Sequence, residues 1–228
     1  MKYIYPHMGM GDFLICNGLI RKLIKTQEEY SIFVHKKNYE SVDFMFKDLK
    51  NIKYIIGNED YTPKDNFVIN YIKSNNINVE NLIRITLDRD IISKSFDENF
   101  YLSKSIPFNY RWDNFKCERD YESEKKLYEK MDLNGVDYVF VHDDSSRGYN
   151  IKNDYLKNKK VIRPVIGFTN NIFDYLTIIE NANEIHCMDS SFRMMIDSYP
   201  MDKNLFFHTY CRPNRDFAQS KNKWNLID

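Results

Sequence analysis

The chain opens with Lys2-Tyr3-Ile4-Tyr5-Pro6-His7-Met8-Gly9-Met10-Gly11-Asp12-Phe13-Leu14, and this stretch decides the class of fold. Residues 2–5 read as a strand, and residues 6–11 as a loop. Gly9 and Gly11 let the backbone turn tightly and come close to a ligand. Asp12 is placed to cap a helix over residues 12–25, with Ile15, Leu19, Ile20, Leu23 and Ile24 along one side. Strand, glycine loop and helix in that order are the first half of a crossover unit, so a parallel sheet is expected. Gly9 and Gly11 match the first two glycines of a dinucleotide fingerprint. The third position is Leu14, however, and the second strand ends Val34-His35-Lys36 with no acid to hold a ribose. Both departures count against NAD or FAD. No Gly-Lys-Ser/Thr follows, so the loop is not that of a P-loop nucleotidase.

The alternation continues outward from this stretch. Strands are expected at residues 31–35, 53–56, 67–70 and 82–85, with a helix at 40–49. Residues 91–116 are aromatic-rich and irregular. A charged helix over 118–131 leads to a second alternating set. It has strands at 137–142, 161–165, 184–188 and 204–208, and helices at 172–181, opened by Thr169, Asn170 and Asn171, and at 192–198. The tail, 216–228, carries Trp224 and is expected to pack back onto the body. The expected architecture is α/β, with two Rossmann-like open parallel sheets facing a central cleft. One domain covers residues 1–117 and the other 118–228.

Composition narrows the function. The chain has 228 residues, 33 basic and 33 acidic, for a formal net charge of zero. Proteins that grip nucleic acid through its phosphates carry a basic excess or a basic face, so no nucleic-acid partner is expected. Cys16, Cys117, Cys187 and Cys211 form no Cys-x-x-Cys pair. Cys16 and Cys187 sit in apolar runs, as buried thiols do, so neither a disulfide framework nor a zinc site is expected. The N-terminus shows no signal-peptide pattern, and no apolar run nears the ~18–20 residues of a membrane helix. A cytoplasmic protein with at most peripheral membrane contact is expected.

In open parallel sheets, ligands bind beyond the carboxyl ends of the strands, and three such ends are polar. The first is the opening loop with His7, Gly9, Gly11 and Asp12. The second is Val141-His142-Asp143-Asp144-Ser145-Ser146-Arg147-Gly148, an apolar strand emptying into polar residues. For Asp143 and Ser145 singly, a turn is the simpler reading. Arg147 can grip phosphate through paired hydrogen bonds. The third is His186-Cys187-Met188-Asp189-Ser190-Ser191-Phe192, where a helix starts on Asp-Ser-Ser. Hydroxyls and free N–H groups there make a diphosphate cradle, or Asp189 or Ser190 simply caps the helix.

The Gly-Met-Gly-Asp-Phe-Leu stretch resembles the Gly-Asp-x-x loop of the bacterial heptosyltransferases, glycosyltransferase family 9, and of related GT-B enzymes. Met-Asp-Ser-Ser-Phe resembles that family's late Gly-Asp-Ser-Gly-x-x-His motif, without its two glycines or its His. The resemblance implies a compact GT-B-like enzyme, with Asp12 as catalytic base near the acceptor and with Asp189, Ser190 and Ser191 at the donor diphosphate.

On that footing the expected function is glycosyl transfer from a nucleotide-sugar donor to a hydroxyl of a glycan or lipid-linked acceptor. Asp12 or His7 supplies the base. Arg147, Arg163 and the Ser190–Ser191 helix terminus steady the leaving diphosphate, with His142 and Asp144 beside them. No cofactor is expected, the nucleotide-sugar being substrate, and the resemblance implies transfer without a divalent metal. Asp143-Asp144 is not Asp-x-Asp, and no His/Cys cluster has ligand spacing. Two rivals are a same-fold nucleotide-sugar epimerase, which needs no acceptor, and a non-catalytic sugar or nucleotide-binding module, which needs no Asp12.

Overall fold

The structure, a computed structural model, describes residues 1–58, 64–85, 95–212 and 216–228. The chain divides into two compact units, Met1–Cys117 and Glu118–Asp228. The first unit runs β1 (Lys2–Tyr5), α1 (Met10–Ile15), α2 (Asn17–Leu23), β2 (Tyr30–His35), α3 (Tyr39–Phe46), β3 (Ile52–Gly57), α4 (Lys64–Ser74), β4 (Leu82–Arg84), α5 (Phe96–Leu102) and α6 (Tyr110–Asp113). The second runs α7 (Tyr121–Lys130), β5 (Val139–His142), β6 (Val161–Ile162), α8 (Leu176–Asn181), β7 (Glu184–Cys187), α9 (Ser191–Asp197), β8 (Asn204–His208) and β9 (Trp224–Ile227). The protein is α/β with two sheets, as the alternation of elements implied.

Every pairing in both sheets is parallel. Parallel strands covered on both faces read as apolar runs, and Ile4, Ile32, Phe33 and Val34 are accordingly buried. The first sheet has the order β3-β2-β1-β4, and the second β6-β5-β7-β8-β9. The winding therefore reverses between β1 and β4 in the first sheet and between β5 and β7 in the second. Such switch points open a crevice at the carboxyl ends of the two strands. All three polar strand ends lie at one of them: residues 6–12 follow β1, while residues 143–148 and 188–190 follow β5 and β7.

Five expectations need correction. The helix expected over 12–25 starts at Met10 and is interrupted at Cys16. Gly9, with φ −71° and ψ 146°, is its N-cap, so Asp12 is a first-turn residue and not the cap. Residues 67–70 lie inside α4, not in a strand; a four-residue apolar run does not distinguish the two, and here the helical neighbours prevailed. The irregular 91–116 stretch contains α5 and α6, although residues 91–94 lie outside the described residues. The tail does more than pack back. Trp224–Ile227 extends the second sheet as a parallel edge strand, with Leu205 opposite Trp224. The strand expected over 161–165 is shorter, Val161–Ile162.

Gly18, inside α2, shows why this helix tolerates a poor helix former. A Cβ there would overlap the Tyr110 backbone carbonyl of α6. Gly18→Ala is expected to destabilise the N-terminal unit by about 1–3 kcal/mol through this forced separation. A chemical-denaturation midpoint equal to the parent's would contradict that close approach. Among the described residues, no helix is long and apolar enough to cross a membrane.

Candidate functional site

In the N-terminal unit the structure brings His7 and Asp12 together. His7 Nδ1 lies 2.7 Å from Asp12 Oδ2. Asp12 sits in the first turn of α1, where the helix dipole favours a carboxylate. Gly9 permits the arrangement, because a Cβ on it would lie 2.6 Å from Asp12 Oδ2. The loop between them is anchored: Met8 is buried, and Asn38 Nδ2 donates to its carbonyl at 2.9 Å. The His7 ring also packs near Phe100 of α5, with centroids 6.0 Å apart. Gly11 is the second residue of that helix, next to Asp12.

In the C-terminal unit, arginines and carboxylates interlock at the β5/β7 switch point. Asp143 accepts from Arg163 Nε at 2.7 Å and from the Ile151 backbone N–H at 2.6 Å, so it fixes the loop that follows. Arg147 donates to both oxygens of Asp144 at 3.2 Å. Arg212, on the turn after β8, joins the two loops. Its Nε and a terminal nitrogen donate to Asp144 Oδ2, and its other terminal nitrogen donates to Asp189 Oδ2 at 2.8 Å. Arg193 of α9 pairs with Asp189 at 3.6 Å and donates to the Ala218 carbonyl at 2.8 Å and to Ser220 Oγ at 2.6 Å. Four guanidiniums thus meet three carboxylates. Arg212 is sheltered, whereas the Arg147 and Arg163 side chains are 56% and 41% exposed.

The serines divide. Ser190 caps α9, its hydroxyl accepting from the Arg193 N–H at 3.4 Å, and Ser191 is the first residue of that helix. His142, the last residue of β5, stacks on Phe192 with centroids 4.4 Å apart. Its Nδ1 is buried with no hydrogen-bond partner among the described residues. Burial holds this imidazole down to about 4, against the smaller opposing pull of Asp143 and Asp144. Burial thus favours the neutral form of the His142 ring.

A cavity of about 580 Å³ opens beside this network, lined by Asp143, Ser145, Asn150, Ile151, Lys152, Asn153 and Arg163. Its volume is in the range of small-ligand sites. Lys152 and Arg163, the latter paired with Asp143, stand among neutral hydrogen-bonding groups, a lining that suits a ligand with both phosphate and hydroxyl groups. Sequence reading missed Lys152, Asn150 and Asn153, though they follow Gly148 directly in a polar loop. It missed Arg212 altogether, since nothing local marks a residue 68 positions from Asp144 and 23 from Asp189.

No family model and no curated protein sequence matches the chain. Solved structures do. ADP-heptose LPS heptosyltransferase II of E. coli superposes with a TM-score of 0.59 at 9% identity, covering 100% of this chain and 90% of that one. A glycosyltransferase family 9 protein of Veillonella parvula gives 0.58 at 9% identity, covering 99% and 85%. At such identity the likeness is one of fold. The likeness extends over the whole chain, so this protein, with its two parallel α/β sheets, has the heptosyltransferase-like fold of glycosyltransferase family 9.

Proposed function

We propose that the protein is a metal-independent glycosyltransferase that moves a sugar from a nucleotide-sugar donor to a hydroxyl of a glycan or lipid-linked acceptor. The observation that carries this reading is the arginine-rich network at the β5/β7 switch point, beside the polar cavity. It sits on a fold shared with solved structures of a heptosyltransferase and a glycosyltransferase family 9 protein. The donor's diphosphate would be held by the half-exposed Arg147 and Arg163, with Lys152 at the cavity wall. Asp144 and Asp189, tied by Arg212, hold the two loops in place. Ser190 and Ser191 add N–H dipoles at the start of α9. As the sugar's anomeric carbon bonds to the acceptor oxygen, its bond to the diphosphate breaks and negative charge collects where these cations stand. The N-terminal unit supplies the base from the His7–Asp12 loop. A cytoplasmic setting, where sugar nucleotides are made, belongs to this reading.

A panel of nucleotide-sugars, tested by thermal denaturation in EDTA, checks the proposal. A donor at ~100 times its Kd is expected to stabilise the fold by roughly 2.7 kcal/mol. Arg163→Ala is expected to abolish most of that shift. No shift with any donor at millimolar concentration would defeat the donor site, and a shift seen only when Mg²⁺ or Mn²⁺ is restored would defeat metal independence.

A further inference from the structure

The residue pair in the N-terminal unit has a chemistry that neither member has alone. An ionised carboxylate only accepts hydrogen bonds. His7 Nδ1, 2.7 Å from Asp12 Oδ2, must therefore carry the proton in the neutral ring. That leaves the lone pair on Nε2, and Nε2 has no hydrogen-bond partner among the described residues. The ring is 44% exposed, while the Asp12 side chain is 20% exposed. The outer member is thus the imidazole, and the inner member the carboxylate. The inner member is held on two sides, by the first turn of α1 and by Gly9, whose missing side chain leaves room for it.

We propose that His7 is the catalytic residue that removes the acceptor's proton, and that Asp12 is a positioning residue that fixes its tautomer and orientation. This assignment rests on the glycosyl-transfer reading above. It decides between the two bases left open by the sequence, Asp12 or His7, against the role of Asp12 that the family resemblance implies. In the step, the acceptor O–H gives its proton to His7 Nε2. Its oxygen forms the new bond to the anomeric carbon, and the bond from that carbon to the donor's phosphate oxygen breaks. The electron pair leaves with the nucleoside diphosphate. The imidazolium formed is stabilised by the Asp12 carboxylate, in the manner of a nucleophile's base oriented by a third group.

The first test does not depend on turnover. In the full chain labelled with ¹⁵N-histidine, the neutral His7 ring is expected as the Nδ1–H tautomer. Asp12→Ala removes the acceptor, and the ring is expected to lose that preference. Gly9→Ala keeps both groups but pushes the carboxylate away, and is expected to act in the same direction. An Nε2–H ring in the parent protein overturns the dyad, whatever the protein transfers. The second test is kinetic. His7→Ala is expected to lose ~10²–10⁴-fold in kcat with little change in KM, and to regain part of it with free imidazole. His7→Gln guards against a folding artefact and should lose as much. Asp12→Asn is expected to lose turnover without rescue by imidazole. Near-parental turnover in both His7 variants, with loss only at Asp12, returns the base to the carboxylate and overturns the proposal. If no sugar nucleotide binds at all, the transfer reading fails at the donor panel, while the tautomer still decides whether the dyad exists.

Discussion

Arg212→Met is expected to cost the C-terminal unit about 3–5 kcal/mol, the usual result of removing one partner from a buried charge cluster. Met keeps much of the volume and none of the charge. Asp144 and Asp189, about 5% and 6% exposed at their side chains, would lose the guanidinium that both share. Arg147 still reaches Asp144, and Arg193 still reaches Asp189 at 3.6 Å, so the loss should fall at the lower end of that range. Because a single unfolding free energy is ill-defined for a chain of two units, the signal must come from one of them. The two tryptophans make this simple: Trp112 lies in α6 and Trp224 in β9. A Trp112→Phe background reports the second unit alone. Adding Asp144→Asn to Arg212→Met is expected to recover part of the loss, since it removes a stranded charge. If the double variant is less stable than Arg212→Met, the cluster is not held by charge pairing.

The second large effect is acid unfolding of the same unit. Three histidines, the buried His186 and His208 and the partly buried His142, favour their neutral forms. Burial is the main cause for each, holding His142 and His208 down to about 4 and lowering His186. The hydrogen bonds add a geometric reason. His186 Nε2 lies 3.1 Å from Glu184 Oε2, and its Nδ1 lies 3.0 Å from His208 Nε2. With Nε2–H of His186 donating to the carboxylate, its Nδ1 must accept from His208. A second proton on His186 would set two N–H groups against each other. An unfolded histidine takes up a proton near 6.5, whereas the folded ones resist until about 4. Between these values the unfolded chain binds more protons, so stability falls as the pH falls. At about 1.4 kcal/mol per unit, His142 and His208 are each worth about 3 kcal/mol by pH 4. Glu184 acts in the same direction. Burial raises its carboxyl, but Lys159 and His186 outweigh this and hold it below its ordinary value. Urea midpoints read from Trp224 are expected to drop steeply between pH 6.5 and 4, and His142→Phe is expected to flatten the curve. Equal midpoints at pH 7.5 and 4.5 would rule the histidines out as the acid-sensitive element.

Together the two effects locate the unit's weak points at the carboxyl ends of its central strands. His142 ends β5, His208 ends β8, and Asp144 and Asp189 follow β5 and β7. Loops there cannot be filled with apolar side chains and still offer a ligand charge and hydrogen bonds. Stability at these positions therefore comes from paired charges and from histidines kept neutral, and both fail when the pairing or the pH changes.

The sequence by itself determined the class of fold and where chemistry could sit. Alternating apolar runs and helical stripes are written over spans of four to fifteen residues. A strand that empties into His, Asp, Ser and Arg is visible without its neighbours. The sequence also placed His7, Asp12, Asp144, Arg147 and Asp189 in loops at strand ends, because each lies within a few residues of its strand, whereas Arg163 was expected inside a strand and lies just beyond Ile162. Elements whose local signal was weak were misread: residues 67–70 are too short to show a period, and Trp224–Ile227 becomes a strand only because β8 offers it an edge. The tertiary structure alone decided the rest. Strand order put the residues after β5 and β7 on either side of one crevice, and it brought Arg212 from beyond β8 to tie them. It moved Asp12 from helix cap to partner of His7, since only the turn at Gly9 sets the carboxylate against the ring. Periodicity and capping are set by residues within a few positions of one another, whereas an ion pair across 68 residues depends on the path of the whole sheet, which no local pattern encodes.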